Sequence, residues 1–207
     1  MVLHAGTRLV NAFARARGWV WRTAMNLDPA CDAGPAMRVH AGFNLSCNRG
    51  AGSIRIGSGF HARRWCSLLV EGGSLSIGRN LFMNNRCSIN CHKSVEIGDD
   101  CLFGEGVCLY DHDHVFSLPG SVRESGFKTG EIKVGNNVWL GTNVVVLRGS
   151  VIGDNSVVGA NTVVQGLIPA NSIVTAADRG TPAIRPIVRV DPERARADGN
   201  SSQGIPD

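Results

Sequence analysis

The residues from 134 to 164 repeat a pattern of six positions. The blocks VGNNVW, LGTNVV, VLRGSV, IGDNSV and VGANTV each open on an aliphatic residue and carry a small or β-branched residue at the fifth place. A period of six fits neither a helical stripe nor strand alternation, and a short fixed period marks a repeat architecture. We therefore predict a short strand and a tight turn per block, with three blocks closing one triangular coil of a parallel β-helix. Gly, Asn and Asp suit the corners, which often require positive φ.

The repeat is less regular before this stretch. Ile56, Ile77 and Ile97 begin blocks that are 21 and 20 residues apart, against 18 between Val134 and Ile152. Small insertions at the corners, for example around residues 71–73, explain the longer spacing. Residues 97–114 form one full unit, and residues 115–130 contain no hexapeptide. A long excursion inside a compact repeat is usually functional or disordered.

These patterns divide the chain into three parts. Residues 1–52 are predicted to hold a helix over residues 1–26 and an irregular connection. Residues 53–184 are predicted to form an all-β domain, the β-helix. Residues 185–207 are polar and are expected to form a partly disordered tail.

The predicted N-terminal helix is amphipathic. One face carries apolar side chains and the other polar ones: Val2, Ala5, Leu9, Phe13, Ala16 and Val20 against His4, Arg8, Asn11, Arg15 and Arg22. No apolar run is long enough to span a bilayer, and Arg15 and Arg17 interrupt any signal-peptide core. Two interpretations stay open. The helix packs on the β-helix or a neighbouring subunit, or it lies in a membrane interface with Trp19 and Trp21 at headgroup level. We expect a cytoplasmic protein, with peripheral contact at the inner membrane face under the second interpretation.

Composition limits the function classes. The net charge of +4 is too weak for the signature of a nucleic-acid binder. The seven cysteines are odd in number and form no CxxC pair. We expect reduced thiols packed in the coils and no metal site.

The run Tyr110-Asp111-His112-Asp113-His114 carries the candidate chemistry. It lies after a complete coil and before the excursion. A histidine takes a proton from a hydroxyl near neutral pH, and a carboxylate fixes its tautomer and stabilises the imidazolium. The alternative for such a run is a solvated, charged corner. Asp111, Asp113 and Glu124 are equal candidates to orient a catalytic histidine.

Residues 134–164 closely resemble the C-terminal coils of hexapeptide-repeat acetyltransferases, which are left-handed β-helices. VCLYDHDHVF, residues 107–116, resembles the segment of galactoside and maltose O-acetyltransferases that ends in a catalytic histidine. With Tyr110 in register, the resemblance places that histidine at His114. It also assigns Asn84 to the acceptor site, with Asn85 held in reserve and His112 as a further substrate contact. Family members are trimers with active sites between subunits.

The resemblance implies a donor site for acetyl-CoA in the groove between adjacent β-helices. Trp139, Gly141, Thr142 and Ala160 match positions that line this groove, and a backbone N–H near Thr142 would stabilise an oxyanion. The family's Thr-Lys-Asp is replaced by Gln165, Gly166 and Leu167, and its closing basic residue is shifted by one position. Arg179, Arg185 and Arg148 are the candidates to contact the CoA phosphates instead.

The resulting hypothesis is a trimeric acetyl-CoA-dependent O-acetyltransferase that acts on a sugar or cell-surface glycan, whether free or lipid-linked. His114 is the general base, and attack is direct, without a covalent intermediate. The first 50 residues differ from those of the galactoside and maltose enzymes, which favours another acceptor. Two alternatives are an amino-sugar N-acetyltransferase and a γ-type carbonic anhydrase, for which His92, His112 and His114 are available as zinc ligands.

Overall fold

The computed structural model describes residues 2–48, 52–115, 123, 126–175 and 183–186. This part of the chain forms one helix and 23 short strands. Helix α1 is Val2–Met25. The strands up to the excursion are β1 Cys31–Ala33, β2 Arg38–Val39, β3 Asn44–Cys47, β4 Gly52–Ile56, β5 His61–Ala62, β6 Ser67–Val70, β7 Gly73–Ile77, β8 Phe82–Met83, β9 Ser88–Cys91, β10 Ser94–Ile97, β11 Leu102–Phe103, β12 Cys108–Tyr110 and β13 His112–His114. The later strands are β14 Phe127–Thr129, β15 Ile132–Val134, β16 Trp139–Leu140, β17 Val145–Leu147, β18 Val151–Ile152, β19 Val157–Val158, β20 Val163–Val164, β21 Leu167–Ile168, β22 Ser172–Thr175 and β23 Ala183–Pro186.

Every third strand of the coils joins the same sheet, which is the topology of a β-helix. Sheet 1 has the order β1-β4-β7-β10-β15-β18-β21, sheet 2 the order β2-β5-β8-β11-β16-β19-β22-β23, and sheet 3 the order β3-β6-β9-β12-β17-β20. Neighbours within the coils pair in parallel, as Ile77 does with Ile97 and Ile97 with Val134. The predicted parallel β-helix is confirmed.

Two boundaries differ from the prediction. A complete coil, β1–β3, already lies within residues 27–52, which were expected to be irregular. Its opener, Ala33, pairs with Ile56 and is followed by Gly34, so a small alanine replaces the usual Ile or Val and the hexapeptide pattern is weak there. The excursion also begins earlier than expected, because β13 already leaves the coil and pairs with β14 in an antiparallel hairpin.

The core consists of inward side chains stacked in columns. Sheet 1 contributes Ile56, Ile77, Ile97, Val134 and Ile152, each less than 5% exposed. Stacking each coil on the next buries its apolar face, which no single coil does alone. Cys66, Cys87, Cys91 and Cys101 are buried in this interior, and no disulfide forms among the described residues.

The coils before the excursion are wider at sheet 3. Strands β3, β6 and β9 have four residues each, whereas β17 has three and β20 has two. The corner that follows sheet 3 is also longer in the early coils, including the predicted insertion around residues 71–73. The irregular spacing of the early repeats therefore enlarges the corner where the His112–His114 run lies.

Helix α1 packs on the first coil through a face that the sequence did not single out. Ala14 and Met25 on this face are buried, and Trp21 packs against the core. Gly18 is required here because a Cβ would lie 2.0 Å from the carbonyl oxygen of Met37. The apolar stripe that the sequence pattern predicts faces away: Leu9, Phe13 and Val20 are 60%, 55% and 58% exposed. Within the described chain, no helix has the length and apolar character needed to cross a membrane.

Candidate active site

The hairpin β13–β14 displays the candidate base at the corner between sheets 3 and 1. His112 pairs with Thr129, Asp113 with Lys128, and His114 with Phe127. His114 is exposed, and its ring lies 4.6 Å from that of Phe127, centroid to centroid. The hairpin therefore carries an accessible imidazole out of the coil on a short, paired strand.

Asp111 has a structural environment instead of a catalytic one. It is fully buried. Its Oδ1 accepts the backbone N–H of His92 at 2.8 Å, and its Oδ2 accepts those of Lys93 at 2.7 Å and Ser94 at 2.9 Å. Three backbone donors around one buried carboxylate are typical of a fixed anion. The group closes the corner of the preceding coil and holds the base of the hairpin.

The remaining contact of Asp111 is to His112, with Nδ1 and Oδ1 3.1 Å apart. This is a carboxylate–imidazole pair of the predicted kind, but it involves His112 and not His114. The ring of His112 also lies 3.8 Å from that of His92 and 5.2 Å from that of Phe127. Burial and, after it, the charge of His112 lower the pKa of His92. The rings of His92 and His112 thus pack against each other and against the ring of Phe127.

Asp113 bonds to the following coil. Its Oδ2 accepts a hydrogen bond from Nε of Arg148 at 2.5 Å. Arg148 was a candidate for a CoA phosphate, and here it neutralises Asp113 at the hairpin. The third candidate to orient the base, Glu124, lies outside the described residues. Neither Asp111 nor Asp113 bonds to His114 in the described structure.

The side-chain amides of the two candidate acceptor asparagines differ in the hydrogen bonds that they make within the protein. Nδ2 of Asn85 donates to Glu105 at 2.6 Å, and its Oδ1 accepts from the backbone of Arg64 at 3.2 Å. Oδ1 of Asn84 accepts from Arg63 at 3.3 Å and from the backbone N–H of Asn85 at 2.9 Å. Among the described residues, Nδ2 of Asn84 has no hydrogen-bond partner. Asn84 is therefore the asparagine that keeps donors for a ligand.

The candidate donor residues lie together at the same corner, between sheets 2 and 3, in later coils. Trp139 points out of sheet 2 and is 54% exposed, and Gly141 and Thr142 form the corner that follows. Ala160 occupies the same corner one coil later. Its backbone nitrogen is 2.7 Å from the place where a Cβ of Gly141 would lie. The N–H of Thr142 donates to no other backbone group of the described residues.

Arg179 and Arg185 are the two C-terminal candidates to contact the CoA phosphates, and the structure does not describe their side chains. Arg179 lies outside the described residues. The backbone of Arg185 pairs with Ile173 in the antiparallel β23, which extends sheet 2 beyond the last coil. The contacts that the sequence predicts for both residues stay predictions.

The base and the other two parts of the site lie at different corners of one chain. His114 follows sheet 3, whereas Asn84 and Thr142 precede it. A strand and its flanking residues separate these corners by roughly 15–20 Å at about 3.3 Å per residue. One chain therefore does not place the base, the acceptor asparagine and the donor groove around one acyl group.

Sequence reasoning missed several side chains at these corners. Phe127 contacts three histidines but lies in an excursion with no repeat to align it. Arg148 pairs with a residue 35 positions earlier. Most corner positions with positive φ hold Asn, Asp or Gly, so a different residue at such a position is a signal that the sequence offers. Trp65 and Arg86 occupy such corner positions and have positive φ.

No group of three or more metal-ligating side chains occurs within the described ranges.

Known proteins resemble this chain in sequence and in fold. The family model "Bacterial transferase hexapeptide (six repeats)" matches residues 131–166. The "Probable acetyltransferase Rv3034c" of Mycobacterium tuberculosis is 30% identical over 147 residues, which cover 70% of this chain and 46% of that protein. The chain thus spans about half the length of that curated relative.

A second relative is matched over most of its length. The "Putative lipopolysaccharide biosynthesis O-acetyl transferase WbbJ" of Escherichia coli K12 is 34% identical over 146 residues, which cover 65% of this chain and 71% of that protein. In fold, the chain resembles AntD, an N-acyltransferase from Bacillus cereus solved with dTDP and 3-hydroxybutyryl-CoA. The TM-score is 0.59 at 16% identity, over 86% of this chain and 92% of that one. The hexapeptide repeat, the coils it builds and the relative matched over 71% of its length together show that the chain belongs to the hexapeptide-repeat acetyltransferases.

Proposed function

We propose that the protein transfers acetyl from acetyl-CoA to a hydroxyl of a sugar or cell-surface glycan, with His114 as the general base. The observation that carries the proposal is the hairpin β13–β14, which presents the exposed His114 next to Phe127. The relative of lipopolysaccharide biosynthesis supports oxygen as the acceptor atom. An imidazole with a near-neutral pKa is suited to a hydroxyl that must lose its proton as it attacks.

The reaction balances with one base and no covalent enzyme intermediate. The imidazole of His114 takes the proton of the acceptor hydroxyl while the oxygen attacks the thioester carbonyl. The tetrahedral intermediate collapses, the carbon–sulfur bond breaks, and the CoA thiolate takes the proton from the imidazolium. The unpaired backbone N–H of Thr142 is the donor we assign to the oxyanion.

Cys91 and Cys101 are poor candidates for a covalent route. Burial and the neighbouring charge of Asp111 raise the pKa of Cys91 to about 12, and burial raises that of Cys101. A nucleophilic cysteine needs a thiolate and access to substrate. These two thiols are buried and stay protonated at neutral pH, which supports direct attack.

A complete site then requires a second copy of the chain. The donor groove and Asn84 lie at one corner of each β-helix, and His114 lies at the next. A neighbouring subunit that places its sheet 2–sheet 3 corner against this chain's His114 corner would unite them. Closed rotational symmetry repeats such an interface, so we propose a homotrimer with three equivalent sites between subunits.

We also propose that α1 lies against the inner face of an anionic membrane, where lipid-linked acceptors are available. The exposed stripe of Leu9, Phe13 and Val20 has no cover within the described residues. The helix carries no acidic residue, and the exposed Arg17 lies beside the stripe. An apolar face with flanking Arg and Trp is the pattern of an interfacial helix. The charge favours an anionic lipid surface as its occupant.

The test of the transfer reaction compares wild type with His114→Ala and Asp113→Asn. Thiol release from acetyl-CoA is measured with a panel of sugars, oligosaccharides and lipid-linked saccharides. Loss of a general base typically lowers the rate by about 10²–10⁴-fold, and His114→Ala should do so without lowering the melting temperature, because the side chain is exposed. Asp113→Asn should change the rate far less, since its partner is Arg148.

Full activity of His114→Ala would refute the assignment of the base. Products formed by wild type are separated from acetyl-CoA and treated with alkaline hydroxylamine, which cleaves acetyl esters and leaves acetamides intact. Ester products support the O-acetyl proposal. Stable amide products would instead place the protein among the N-acyltransferases, the class of its structural relative from Bacillus cereus.

A further inference from the structure

Trp65 and Arg86 have a backbone conformation that the other coils assign to Gly or Asn. At the corner between sheets 2 and 3, one residue per coil has positive φ: Gly42, Trp65, Arg86, Gly106, Asn143 and Asn161. From Trp65 onward, their N–H groups donate to the preceding coil in the same way, as Arg86 does to the carbonyl oxygen of Arg64 and Gly106 to that of Asn85. The six residues therefore form one column of equivalent positions.

Bulky side chains are unfavourable in this column. The left-handed region brings Cβ close to the following carbonyl oxygen, and Gly, Asn and Asp tolerate it best. Trp65 has φ of 63° and Arg86 has φ of 60°. Residues kept in unfavourable backbone regions cluster at functional sites. Two of them, stacked in successive coils, indicate a role for their side chains.

The indole of Trp65 is a supported, open surface. A Cβ on Gly42 would lie 2.2 Å from Cε3 of Trp65, so the ring rests directly on the glycine backbone one coil below. Trp65 is nevertheless 66% exposed. A flat aromatic ring with one covered and one open face can bury the C–H face of a sugar ring, while its N–H stays available for a hydrogen bond.

The surroundings of this ring are positively charged. Arg63, Arg64 and Arg86 are exposed at this corner. The acidic neighbour Glu105 already accepts a hydrogen bond from Asn85. The pKa of His40 is lowered first by burial and then by the positive charges of Arg63 and Arg64. A guanidinium fork binds a carboxylate with two parallel hydrogen bonds.

The patch adjoins the candidate acceptor asparagine. Arg86 follows Asn84 and Asn85 in the chain, and Nη1 of Arg63 donates to Oδ1 of Asn84 at 3.3 Å. A sugar on Trp65 would therefore lie beside the residue that holds the acetylated sugar. A binding site at this place would select acceptors by the sugar next to the one that is acetylated.

We propose that Trp65 and Arg86, with Arg63 and Arg64, form a subsite for an acidic sugar residue next to the acetylated one. The proposal rests on the proposed function, because it takes the acceptor to be a glycan. It assigns the anion to a carboxylate of a uronic-acid type, which the guanidinium groups bind, while the sugar ring stacks on Trp65.

The test measures binding by calorimetry with tetragalacturonate, glucose 1-phosphate and neutral maltotetraose. Wild type should bind tetragalacturonate at least tenfold more tightly than maltotetraose. Arg86→Asn should remove this preference, and Arg86→Lys should keep part of it. Trp65→Asn should weaken binding of both oligosaccharides at least tenfold. Tighter binding of glucose 1-phosphate than of tetragalacturonate would overturn the carboxylate assignment.

Melting temperatures separate a binding role from a structural one. Arg86→Asn places a residue in the column that suits positive φ, so its melting temperature should equal or exceed that of wild type. The matched control is Ala36→Asn, which has φ of 61° at a different corner and should leave glycan binding unchanged. A clear drop in the melting temperature of Arg86→Asn, or tetragalacturonate binding that is unchanged in both Arg86→Asn and Trp65→Asn, would overturn the proposal.

Acetyl-CoA binding to the same proteins distinguishes this proposal from the function it rests on. The variants should bind acetyl-CoA as wild type does. A wild type that binds tetragalacturonate but not acetyl-CoA would contradict acetyl transfer and keep the subsite. A wild type that binds acetyl-CoA and acetylates a neutral sugar, but binds no acidic oligosaccharide, would refute the subsite alone.

Discussion

Replacing Asp111 by asparagine tests whether this carboxylate anchors the fold or acts in the chemistry. The side chain is fully buried and accepts three backbone N–H groups, those of His92, Lys93 and Ser94, besides its contact with His112. An amide has one oxygen, so its nitrogen must face at least one of these donors. Asp111→Asn therefore leaves at least one buried N–H without an acceptor. The hydrogen bonds that remain lose their negatively charged acceptor.

The magnitude follows from the bonds lost. A hydrogen bond to a charged group contributes about 1.5–3 kcal/mol. With one bond lost and the others weakened, the free energy of unfolding should fall by about 2–4 kcal/mol. For a chain of this size, about 1 kcal/mol corresponds to 2–4 °C, so the melting temperature should fall by roughly 4–16 °C.

The assay combines thermal unfolding with hydrogen exchange. The amides of His92, Lys93 and Ser94 should exchange faster in Asp111→Asn than in wild type, because their acceptor is lost. Asp113→Asn is the matched control, since its ion pair with Arg148 is partly exposed, and such pairs contribute about 0.2–1 kcal/mol. If Asp111→Asn instead melted and exchanged like wild type while losing acetyl transfer, the anchoring role would be refuted.

Two further predictions concern pH and the membrane. Burial and then the charges of His40 and its neighbours lower the pKa of His61 to about 4, against about 6.5 in an unfolded chain. The unfolded state therefore binds more protons between these values, so this contribution to stability is complete above about pH 6.5 and is lost as the pH falls toward 4. His61→Gln should narrow the difference between the melting temperatures at pH 7 and pH 5, and an unchanged difference would contradict the assignment. On the membrane, Phe13→Ser with Val20→Ser should reduce co-sedimentation with phosphatidylglycerol vesicles at least tenfold, because each buried side chain contributes about 1.5–3 kcal/mol. Asn11→Ser is the control on the polar side, and equal sedimentation of all three proteins would exclude this surface.

The β-helix was predictable because its signal is local and repeated. In the coils of residues 134–164, the aliphatic openers return every six residues, and every opener has the same environment. The first coil was missed for the same reason, since Ala33 occupies an opener position at which the later coils have Ile or Val. Pairing with β4 compensates for the weak local pattern, and a single sequence does not display that pairing. The N-terminal stripe was recognised, but close packing at Gly18 turns it outward.

The site was less predictable because its contacts join residues from different coils. Spacing identified Asp111, Asp113 and His114 as one chemical run. It did not show that Asp111 bonds to the previous coil and Asp113 to the next, so that neither of these two carboxylates bonds to His114. The amide of Asn85 is likewise used by Glu105 in the next coil, whereas Asn84 keeps its donors. Each of these assignments depends on which residue lies above or below, and that depends on the length of each coil.

The regular and the irregular coils contribute different parts of the site that we propose. The regular repeat after the excursion forms the corner around Gly141 and Thr142, which we propose for the donor. The early coils have longer strands in sheet 3 and place Trp65 and Arg86 at positive φ, both departures that weaken the repeat. A chain selected for stability alone would use Asn or Gly at these corners. That it does not, in the coil of Asn84 and in the coil before it, is what the acceptor subsite that we propose requires.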